Sequence, residues 1–598
     1  MSMETQIIIV LAIMAFTIYM LVSEKLRIDV TAIVTMLLLA WSGVLTSAEA
    51  LSGFSSNAVI AMIAVMIMGQ GIAKTGMMAR FSKWLLANVG RDKNKVLGTM
   101  SLSVGSMSAV MSNIGAAAMF LPSVLDVSRR LRISASEFIM PIGFMAIIGG
   151  ALTMVGSGHL ILTNDLLEAA DLEPYGLFAV TPVGLALMFS AILFFLLAGK
   201  YIFPKSNGEG LAKTEQEKVM EAFNLHRDIV FYRIPASSSL VSKTVESSGL
   251  WSDYDLNLLA VSHENHIDYA PWRETVLDAG QILALYEEGK GVERFAEDYG
   301  LEVVSDSPMF DVLKDTHESG FVEIIVPPRS EMAGKTLRQF AMRKRYGVEP
   351  IMLFSRGERV RGDFSDYELK PGDTFIIYGP YDHIKALDST DPFVVATPVT
   401  AESKKPSKML HAAGSFALAI GLALSGFSIS ISFLTGAMVM VLTRVLSIEE
   451  AYKSIEWKVV FLLVGLIPLG IAMQNSGTAE FLASGVMNLI EGSHLIVLLF
   501  AVAVLATGFS LVMSNVGAVV VLAPLIVSIG TMAGVDPRPL VLLAAVNAGN
   551  SFILPTHQVN ALMMTAGGYK TSDYFKAGGG MTLVFLLVSV AFFYLIMM

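Results

Sequence analysis

Cysteine is absent from the 598 residues, and charged side chains make up only 16% of them. Without cysteine the chain has no disulfide scaffold, no thiolate metal site and no cysteine nucleophile. Basic residues are also fewer than acidic ones, and the net charge of -10 excludes a surface that follows nucleic-acid phosphates. Apolar residues are abundant, since hydrophobic side chains make up 54% and the mean hydropathy is +0.61. This composition predicts a polytopic α-helical protein in a lipid bilayer, with about ten crossings of ~20 residues each.

The charged residues are concentrated in one central stretch. Residues 1–203 and 404–598 are apolar, whereas residues 204–403 have the composition of an ordinary soluble domain. We therefore predict two membrane repeats separated by a soluble insert. The segments 204–216 and 395–408, which are rich in Lys, Ser, Thr, Gly and Pro, are predicted to be linkers.

Apolar runs of membrane-spanning length predict five spans in each repeat. The first run, from Gln6 to Val22, has no basic segment before it and no small-residue cleavage site, so we expect it to remain as a span. The predicted spans of the first repeat are 5–22, 29–45, 57–73, 136–163 and 177–199. Those of the second repeat are 409–425, 428–443, 459–475, 539–565 and 577–597.

Two further apolar stretches, at about 96–128 and 493–531, are each interrupted midway by Ser-Asn. Each stretch could be two spans or one re-entrant hairpin. The arms of about 15 residues on either side of Ser-Asn are short for full spans, and irregular backbone is tolerated inside a membrane where protein buries it. We therefore predict one re-entrant hairpin in each repeat, opening inward in the first and outward in the second.

Positive charges are distributed unequally across the predicted loops. One side of the membrane carries 21 Lys and Arg residues of the two repeats, and the other side carries only Arg538. The positive-inside rule makes the richer side cytoplasmic, which predicts a multi-pass protein of the inner cell membrane with a cytoplasmic insert. Five spans and a hairpin give an odd number of crossings, so the second repeat is predicted to be inverted relative to the first.

The two membrane repeats contain the same short motif. Ser108-Ala-Val-Met-Ser-Asn-Ile-Gly-Ala in the first corresponds to Ser510-Leu-Val-Met-Ser-Asn-Val-Gly-Ala in the second, at an offset of 402 residues. A further match pairs His159 with His557, at an offset of 398. We interpret these matches as an internal duplication.

The insert contains a duplication of its own, with a period of 92 residues. Lys243-Thr in the first copy corresponds to Lys335-Thr in the second. Short β-branched runs alternate with Pro-Gly-Asp turn signals, which predicts two small α+β units at about 216–305 and 318–394.

Inverted repeats place a solute site near the bilayer midplane, where interrupted helices expose N-termini and carbonyl groups. The candidate breaks are the two Ser-Asn tips and the glycine-rich or proline-rich interruptions of the spans that follow them. Neutral oxygens there suit a hard monovalent cation such as Na+, and helix N-termini suit an anion. No carboxylate is predicted at the midplane, which disfavours a proton relay. The candidate substrate-binding residues are Ser112, Asn113, Gly115, Ser514, Asn515, Gly517, His159, His557 and Thr556.

The repeated motif resembles that of the divalent anion:sodium symporter family, whose hallmark is Ser-Asn-Thr at the tips of two opposed hairpins. The third position differs here, because Ile114 and Val516 stand where the family has Thr hydroxyls that contact substrate carboxylates. The resemblance implies sodium-coupled symport by a homodimer, with a scaffold, a moving transport part and an elevator-type mechanism. It also implies sodium sites at each tip and the adjoining broken span, formed by Ser108, Ser112, Asn113, Gly156, Ser510, Ser514, Asn515 and Asn550.

The insert resembles a tandem of TrkA-C domains, which are the RCK C-terminal regulatory modules of potassium-transport gating proteins. The second copy carries this resemblance best, from Glu323-Ile-Ile-Val-Pro-Pro through Gly334-Lys-Thr-Leu to Pro371-Gly-Asp. Symporters of the resembled family with such inserts are often described as sulfate carriers, and similar modules elsewhere bind small nucleotides. The resemblance thus implies a regulatory nucleotide such as cyclic di-AMP on the insert.

These observations favour a sodium-coupled carrier of a small divalent anion, with sulfate as the first cargo. The alternative cargo is a dicarboxylate, citrate or a sulfonate, carried by the same mechanism. A ligand-gated ion channel is less favoured, because the sequence has no filter-like carbonyl loop. An enzyme is not predicted, because the sequence has no His-x-x-x-His metal motif, no nucleophile elbow and no phosphate loop.

Overall fold

The computed structural model divides the chain into two compact units. Unit 1 contains Met1–Ala212 and Lys404–Met598, and unit 2 contains Lys213–Ser403. Unit 1 is helical, whereas unit 2 combines helices with two β-sheets. The structure describes residues 2–598 except for 24, 78–91, 132, 203–214, 227, 264–265, 288–290, 305–306, 316–317, 328–329, 356–357, 361–362, 389–392, 397–405, 491–493 and 556.

Helices α1 to α9 form the first half of unit 1. They are Met3–Ser23, Ile28–Trp41, Ser47–Leu51, Asn57–Lys74, Lys93–Ser108, Asn113–Leu131, Ser136–Gly149, Gly158–Ala169 and Thr181–Ile202. Polar caps fix several of their first turns. The Ser56 side chain accepts a hydrogen bond from Val59 N at the start of α4, and Asp92 does the same for Lys95 N at the start of α5.

Unit 2 contains two five-stranded antiparallel sheets. Strands β1 to β5 are Ile229–Arg233, Leu256–Ser262, Ile267–Tyr269, Ile282–Glu287 and Glu302–Val303, and strands β6 to β10 are Ser319–Ile325, Glu349–Ser355, Glu358–Val360, Thr374–Pro380 and Val394–Val395. Their orders are β3-β2-β4-β1-β5 and β8-β7-β9-β6-β10, so each strand occupies the same place in its sheet as the strand about 92 residues later. Helices α10 to α15 of this unit are Glu215–Ala222, Gly291–Tyr299, Asp311–Lys314, Leu337–Phe340, Met342–Tyr346 and Tyr381–Asp388.

The two sheets share a buried core that includes Tyr286 of β4 and Tyr378 of β9. Tyr286 and Tyr378 are 92 residues apart, so they are equivalent positions of the two copies. Other equivalent residues also contact each other across the boundary between the copies. Arg338 Nη1 lies 2.7 Å from Glu246 Oε1, and the Arg343 guanidinium carbon lies 4.3 Å from the centre of the Trp251 ring. Each of these pairs is separated by 92 residues, so the two copies are related by an approximate two-fold axis that passes close to both pairs.

Helices α16 to α25 form the second half of unit 1. They are Met409–Leu424, Ile429–Leu442, Ile448–Lys453, Trp457–Asn475, Thr478–Ile490, Leu495–Val512, Asn515–Met532, Pro537–Ala548, Gln558–Gly567 and Thr571–Met597. The short helix α18 begins with a capping box between Ser447 and Glu450, as α3 does between Thr46 and Glu49. The sequence analysis did not predict these two short helices.

The described helices include seven that are long and apolar enough to cross a membrane. They are Met3–Ser23, the helical segment Ser47–Lys74 that contains α3 and α4, Thr181–Gly199, Trp457–Asn475, Leu495–Val512, Asn515–Met532 and Thr571–Met597. Five further apolar helices are shorter, namely Ile28–Trp41, Asn113–Leu125, Ser136–Gly149, Met409–Leu424 and Ile429–Leu442. Short helices are tolerated at membrane depth where other protein segments cover their ends, and most residues of α7 are buried.

The two halves of unit 1 interlock in two groups of helices. One group pairs α2 with α19 and α4 with α17, and the other pairs α7 with α24 and α9 with α25. Gly465 of α19 lies so close to the backbone of Ala32 that a side chain there would collide with it, so the absence of a Cβ sets this close helix packing. Helices α8 and α22 both contact α19 of the first group, and both contact α23, which packs against α25 of the second group.

Candidate functional site

The two Ser-Asn tips have the same hydrogen-bonding arrangement. Ser108 Oγ lies 2.8 Å from Asn113 Oδ1 and also contacts the Ala146 carbonyl oxygen. In the second half, Ser510 Oγ lies 2.7 Å from Asn515 Oδ1 and also contacts the Ala548 carbonyl oxygen. Each serine hydroxyl has one proton, so it can donate to only one of its two neighbouring oxygens at a time. Each tip therefore gathers three oxygens from its hairpin and the following broken span.

The second serine of each motif caps the helix that follows. Ser112 Oγ accepts a hydrogen bond from Gly115 N at 3.2 Å, and Ser514 Oγ accepts one from Gly517 N at 3.1 Å. These two glycine N–H groups are thus engaged by their own caps, whereas the sequence predicted that they face the substrate. The preceding N–H groups at the start of each helix have no partner within the helix, as at any helix N-terminus.

A small cavity brings the two halves together. Its polar lining comes from Asn113 and Ser157 of the first half and Asn515 of the second, with His159 between them. Apolar side chains complete its wall, and its lining residues, all within the described ranges, include neither Lys nor Arg. Its volume of about 10 Å³ is close to that needed by one water molecule. In this structure the cavity is therefore too small for an oxyanion.

Glycines make the first tip compact. A Cβ atom at Gly150 would lie 2.7 Å from Asn113 Oδ1, so a larger residue would displace the asparagine. Gly156, a predicted sodium-site residue, lies against Gly150, because a Cβ atom there would be 2.7 Å from the Gly150 carbonyl oxygen. Asn113 Nδ2 also donates to Ser157 Oγ at 3.4 Å. The interruption between α7 and α8 thus wraps around the Asn113 side chain.

The two histidines lie near each other but occupy different helix positions. His159 is the second residue of α8 and only 6% exposed, and a Cβ atom at Gly549 would lie 3.5 Å from its Nε2. His557 is the N-cap of α24, where its Nδ1 accepts a hydrogen bond from Val559 N at 3.3 Å. The sequence match between them therefore does not correspond to equivalent places in the helices. Thr556, also predicted for the site, lies outside the described residues.

The contacts of the tips give the register that relates the halves. Ser108 and Ala146 correspond to Ser510 and Ala548, so both partners shift by 402 residues. The histidine match at 398 differs from this register by four residues, about one helical turn. Repetitive apolar sequence allows such a shift, because several alignments place similar residues opposite each other.

Around Asn550, a predicted sodium-site residue, the second half contains further buried polar residues that the sequence analysis did not assign to the site. Asn550 Nδ2 lies 3.3 Å from Thr507 Oγ1 and 3.4 Å from the Thr582 carbonyl oxygen. Asn560 and Asn547 are fully buried on the neighbouring helices. The signal available in the sequence was the presence of three asparagines within apolar spans, where polar side chains are costly and often functional.

The third motif positions belong to the apolar packing of the membrane unit. Val516 is 8% exposed within the main hydrophobic core, and Ile114 packs against the same core. Neither side chain can donate a hydrogen bond to a carboxylate. Among the described residues no group of three or more His, Cys, Asp or Glu side chains could hold a metal ion.

The sequence matches a family model described as "Citrate transporter" over residues 18–547. The chain belongs to the citrate transporter family. This membership and the seven long apolar helices confirm the prediction of a multi-pass membrane transporter. The family and its relatives are transporters, which agrees with the expectation that this member is not an enzyme.

Two full-length relatives are uncharacterized transporters. One, from Synechocystis sp., is 28% identical over 98% of this chain and 96% of its own length. The other, from Escherichia coli, is 27% identical over 98% of each chain. Sodium/sulfate cotransporter 1 of Chlamydomonas reinhardtii is 22% identical over 63% of this chain and 44% of its own length.

Proposed function

We propose that this family member is a sodium-coupled symporter of a small divalent oxyanion, with sulfate as its first cargo. The observation that carries the proposal is the pair of matching Ser-Asn tips, whose asparagines line one cavity between the two halves. The similarity to a sodium/sulfate cotransporter supports the same cargo.

Each tip has the chemistry of a sodium site. The oxygens of Ser108, Asn113 and the Ala146 carbonyl are neutral, and those at the second tip are their counterparts. Hard cations prefer oxygen ligands, and a neutral oxygen set compensates a monovalent ion more readily than a divalent one. Bound sodium would also supply the positive charge that the lining of the cavity lacks.

The anion would be held by donors between the tips. The first N–H groups of α6 and α22 point out of helix N-termini, where an anion is stabilised by the helix dipole. Asn113 Nδ2 and the ring of His159 add side-chain donors at the cavity. A compact tetrahedral dianion fits this arrangement better than a long dicarboxylate, because the aliphatic side chains of Ile114 and Val516 offer no donor.

The two helix groups suit an elevator-type movement. The hairpin helices α5, α6 and α21 pack against α7 and α25 of the second group, whereas α8 and α22 contact α19 of the first group. At this boundary the Asp165 carboxylate of α8 accepts hydrogen bonds from Ser56 Oγ and from Ala58 N at the start of α4. The 10 Å³ cavity has to open for cargo to enter, and sliding of one group along the other would open it.

Citrate, or another carboxylate, is the second candidate cargo, because the family model carries that description. Purified protein in proteoliposomes separates the candidates when uptake of labelled sulfate, succinate and citrate is compared. We expect sulfate uptake that requires a sodium gradient and survives collapse of the proton gradient. Strong citrate or succinate uptake without sulfate uptake would reject sulfate, and sodium-independent uptake driven by a pH gradient would reject sodium coupling.

For unit 2 we propose a regulatory role as a tandem of TrkA-C-like domains that binds a nucleotide such as cyclic di-AMP. The support is a cavity of about 570 Å³ between the two copies, large enough for a small organic ligand. Aromatic side chains line it, including Phe231, Tyr286 and Phe321. Lys314 adds a positive charge at its wall, 4.8 Å from the centre of the Phe231 ring.

Calorimetry on the full-length protein tests this site. We expect cyclic di-AMP or an adenine nucleotide to bind, and Lys314→Gln to weaken binding because it removes the cavity's cation. Lys370→Gln is the matched control, since that exposed lysine lies near the Tyr367 ring and not at the cavity. If Lys314→Gln binds the nucleotide as tightly as Lys370→Gln, the ligand binds outside this cavity. If the unmodified protein binds no nucleotide, the role of unit 2 is structural.

A further inference from the structure

Four buried side-chain oxygens without hydrogen-bond partners lie in one region of the second half. They are Asn550 Oδ1, Ser551 Oγ, Asn560 Oδ1 and Thr582 Oγ1. Their residues are 0%, 3%, 0% and 6% exposed. Buried polar atoms are nearly always paired in proteins, and the cost of leaving them unpaired is larger where no water can reach them. A group of four therefore requires an explanation.

Hydrogen bonds connect the segments that carry these oxygens. Asn550 Nδ2 reaches the Thr582 carbonyl oxygen, so the break after α23 contacts α25. Asn560 Nδ2 donates to the Ser551 carbonyl oxygen at 2.7 Å, which joins the same break to α24. Both amide nitrogens are thus occupied while both amide oxygens remain unpaired. The missing partner must be a donor or a positive charge.

Among the described residues of the first half there is no comparable cluster. The register of the two halves at this depth is again 402 residues. A Cβ atom at Gly105 would lie 3.7 Å from the Met145 carbonyl oxygen, and the equivalent residue Thr507 has its Oγ1 3.4 Å from the Asn547 carbonyl oxygen. In this register the counterpart of Asn550 is Ile148, and the counterpart of Ser551 is Gly149. The polar cluster therefore belongs to the second repeat alone and does not follow from the duplication.

We propose that this cluster binds one additional monovalent cation, Na+, behind the second tip. Asn550, which the resemblance assigned to the tip site, is assigned to this cluster instead, because its side-chain amide bonds to Thr507 and Thr582. The ligands are the four unpaired oxygens, which are neutral and come from α24, α25 and the break between α23 and α24. Divalent cations in proteins are usually held by carboxylates, and no carboxylate is among these four residues. Binding at this cluster stands apart from the cargo, whereas its effect on transport rests on the proposed symport.

An additional cation changes the charge that moves with the cargo. Two sodium ions at the tips and one divalent anion sum to zero, so a third sodium ion leaves one net positive charge. A potential of 100 mV, inside negative, then corresponds to about 45-fold accumulation of cargo. Without the third ion the membrane potential would have no effect on accumulation.

The first test counts bound sodium directly. Equilibrium binding of radioactive sodium to purified protein, without cargo, should give three ions per chain, and two for Ser551→Ala combined with Thr582→Val. These substitutions break no hydrogen bond of the two side-chain oxygens, because those oxygens have no partner. Thr31→Val is the matched control, since Thr31 Oγ1 is also buried and unpaired but belongs to α2. If the double variant binds as many sodium ions per chain as the unmodified protein, the proposal is wrong and the four oxygens bind water instead.

The second test measures charge. Valinomycin with a potassium gradient should stimulate sulfate uptake by the unmodified protein and by Thr31→Val, and should not stimulate uptake by the double variant. Three bound sodium ions without sulfate uptake would reject the cargo but keep this site. Sodium-dependent sulfate uptake that is insensitive to potential, with only two bound ions, would keep the symporter and reject the site.

Discussion

Asn113 and Asn515 are the residues on which the two tips depend most. The side-chain oxygen of each asparagine accepts a hydrogen bond from a serine hydroxyl of its own hairpin, and both asparagines line the same cavity. A cation at either tip would therefore lose a ligand if the asparagine were truncated, while the helices around it would keep their packing.

Asn113→Ala and Asn515→Ala should each raise the sodium concentration needed for half-maximal uptake. A hydrogen-bond partner of a charged group contributes about 1.5 to 3 kcal/mol, which corresponds to roughly tenfold to a hundredfold. Sodium titrations of uptake measure this change. Asn475→Ala is the control, because that exposed side chain bonds to Glu49 and should leave the titration unchanged. An equal effect of all three substitutions would contradict the assignment.

Under the proposed function, Ile114 and Val516 limit which anion the tips can hold. Replacing both with Thr adds one hydroxyl donor near each tip, so the double variant should shift preference from sulfate towards dicarboxylates. Competition of unlabelled succinate against labelled sulfate measures the shift. Val520→Thr, a buried position one turn further along α22, serves as the control. If the double variant has the preference of the unmodified protein, these side chains do not face the cargo.

At the scale of elements, the apolar runs and polar interruptions predicted where most helices begin and end. The break after α7 lies at a Gly-rich segment and the break after α23 lies at Gly549-Asn550, because these residue types extend a helix at a cost. The capped helices α3 and α18 were missed because they are too short to give a periodic signal. The match between the two histidines was wrong by a few residues, because apolar sequence specifies burial but not register.

One ion pair links the elements of unit 2. Arg343 donates to both carboxylate oxygens of Glu349, at 2.7 and 2.9 Å, at a side chain that is 1% exposed. Burial raises the pKa of Glu349, while the Arg343 charge opposes that rise. The carboxylate therefore depends on Arg343 to remain ionised in the interior.

Arg343→Met should destabilise unit 2 by about 3 to 5 kcal/mol, because it leaves the Glu349 carboxylate buried without its partner. Thermal unfolding of the full-length protein, followed by a signal from unit 2, measures the loss. Arg343→Met with Glu349→Gln should recover part of it, since the second change removes the buried charge. A double variant no more stable than the single one would show that stacking of Arg343 on Trp251 dominates instead.

At the scale of the whole molecule, the chain divides into two compact units, and unit 2 is a single stretch of sequence between the two parts of unit 1. Deleting residues 216–395 and joining the ends with a short linker should leave a membrane part that remains folded, because unit 2 has its own buried cores. Sodium-dependent uptake should persist, while any response to a nucleotide should disappear. Size-exclusion chromatography and uptake assays with and without nucleotide check both outcomes. Aggregation of the shortened protein would show that unit 2 is needed for folding.

The pairing of Glu246 with Arg338 has a consequence for ancestry and assembly. In a symmetric dimer of separate chains, a position beside the two-fold axis faces its own copy, so an acid would meet an acid there. Placing both copies in one chain lifts this restriction, because each position can change alone, and opposite charges now occupy equivalent places. The tether also keeps the copies together at high effective concentration. A single polypeptide therefore carries the complete inter-copy cavity, so the ligand proposed for it would need no second subunit.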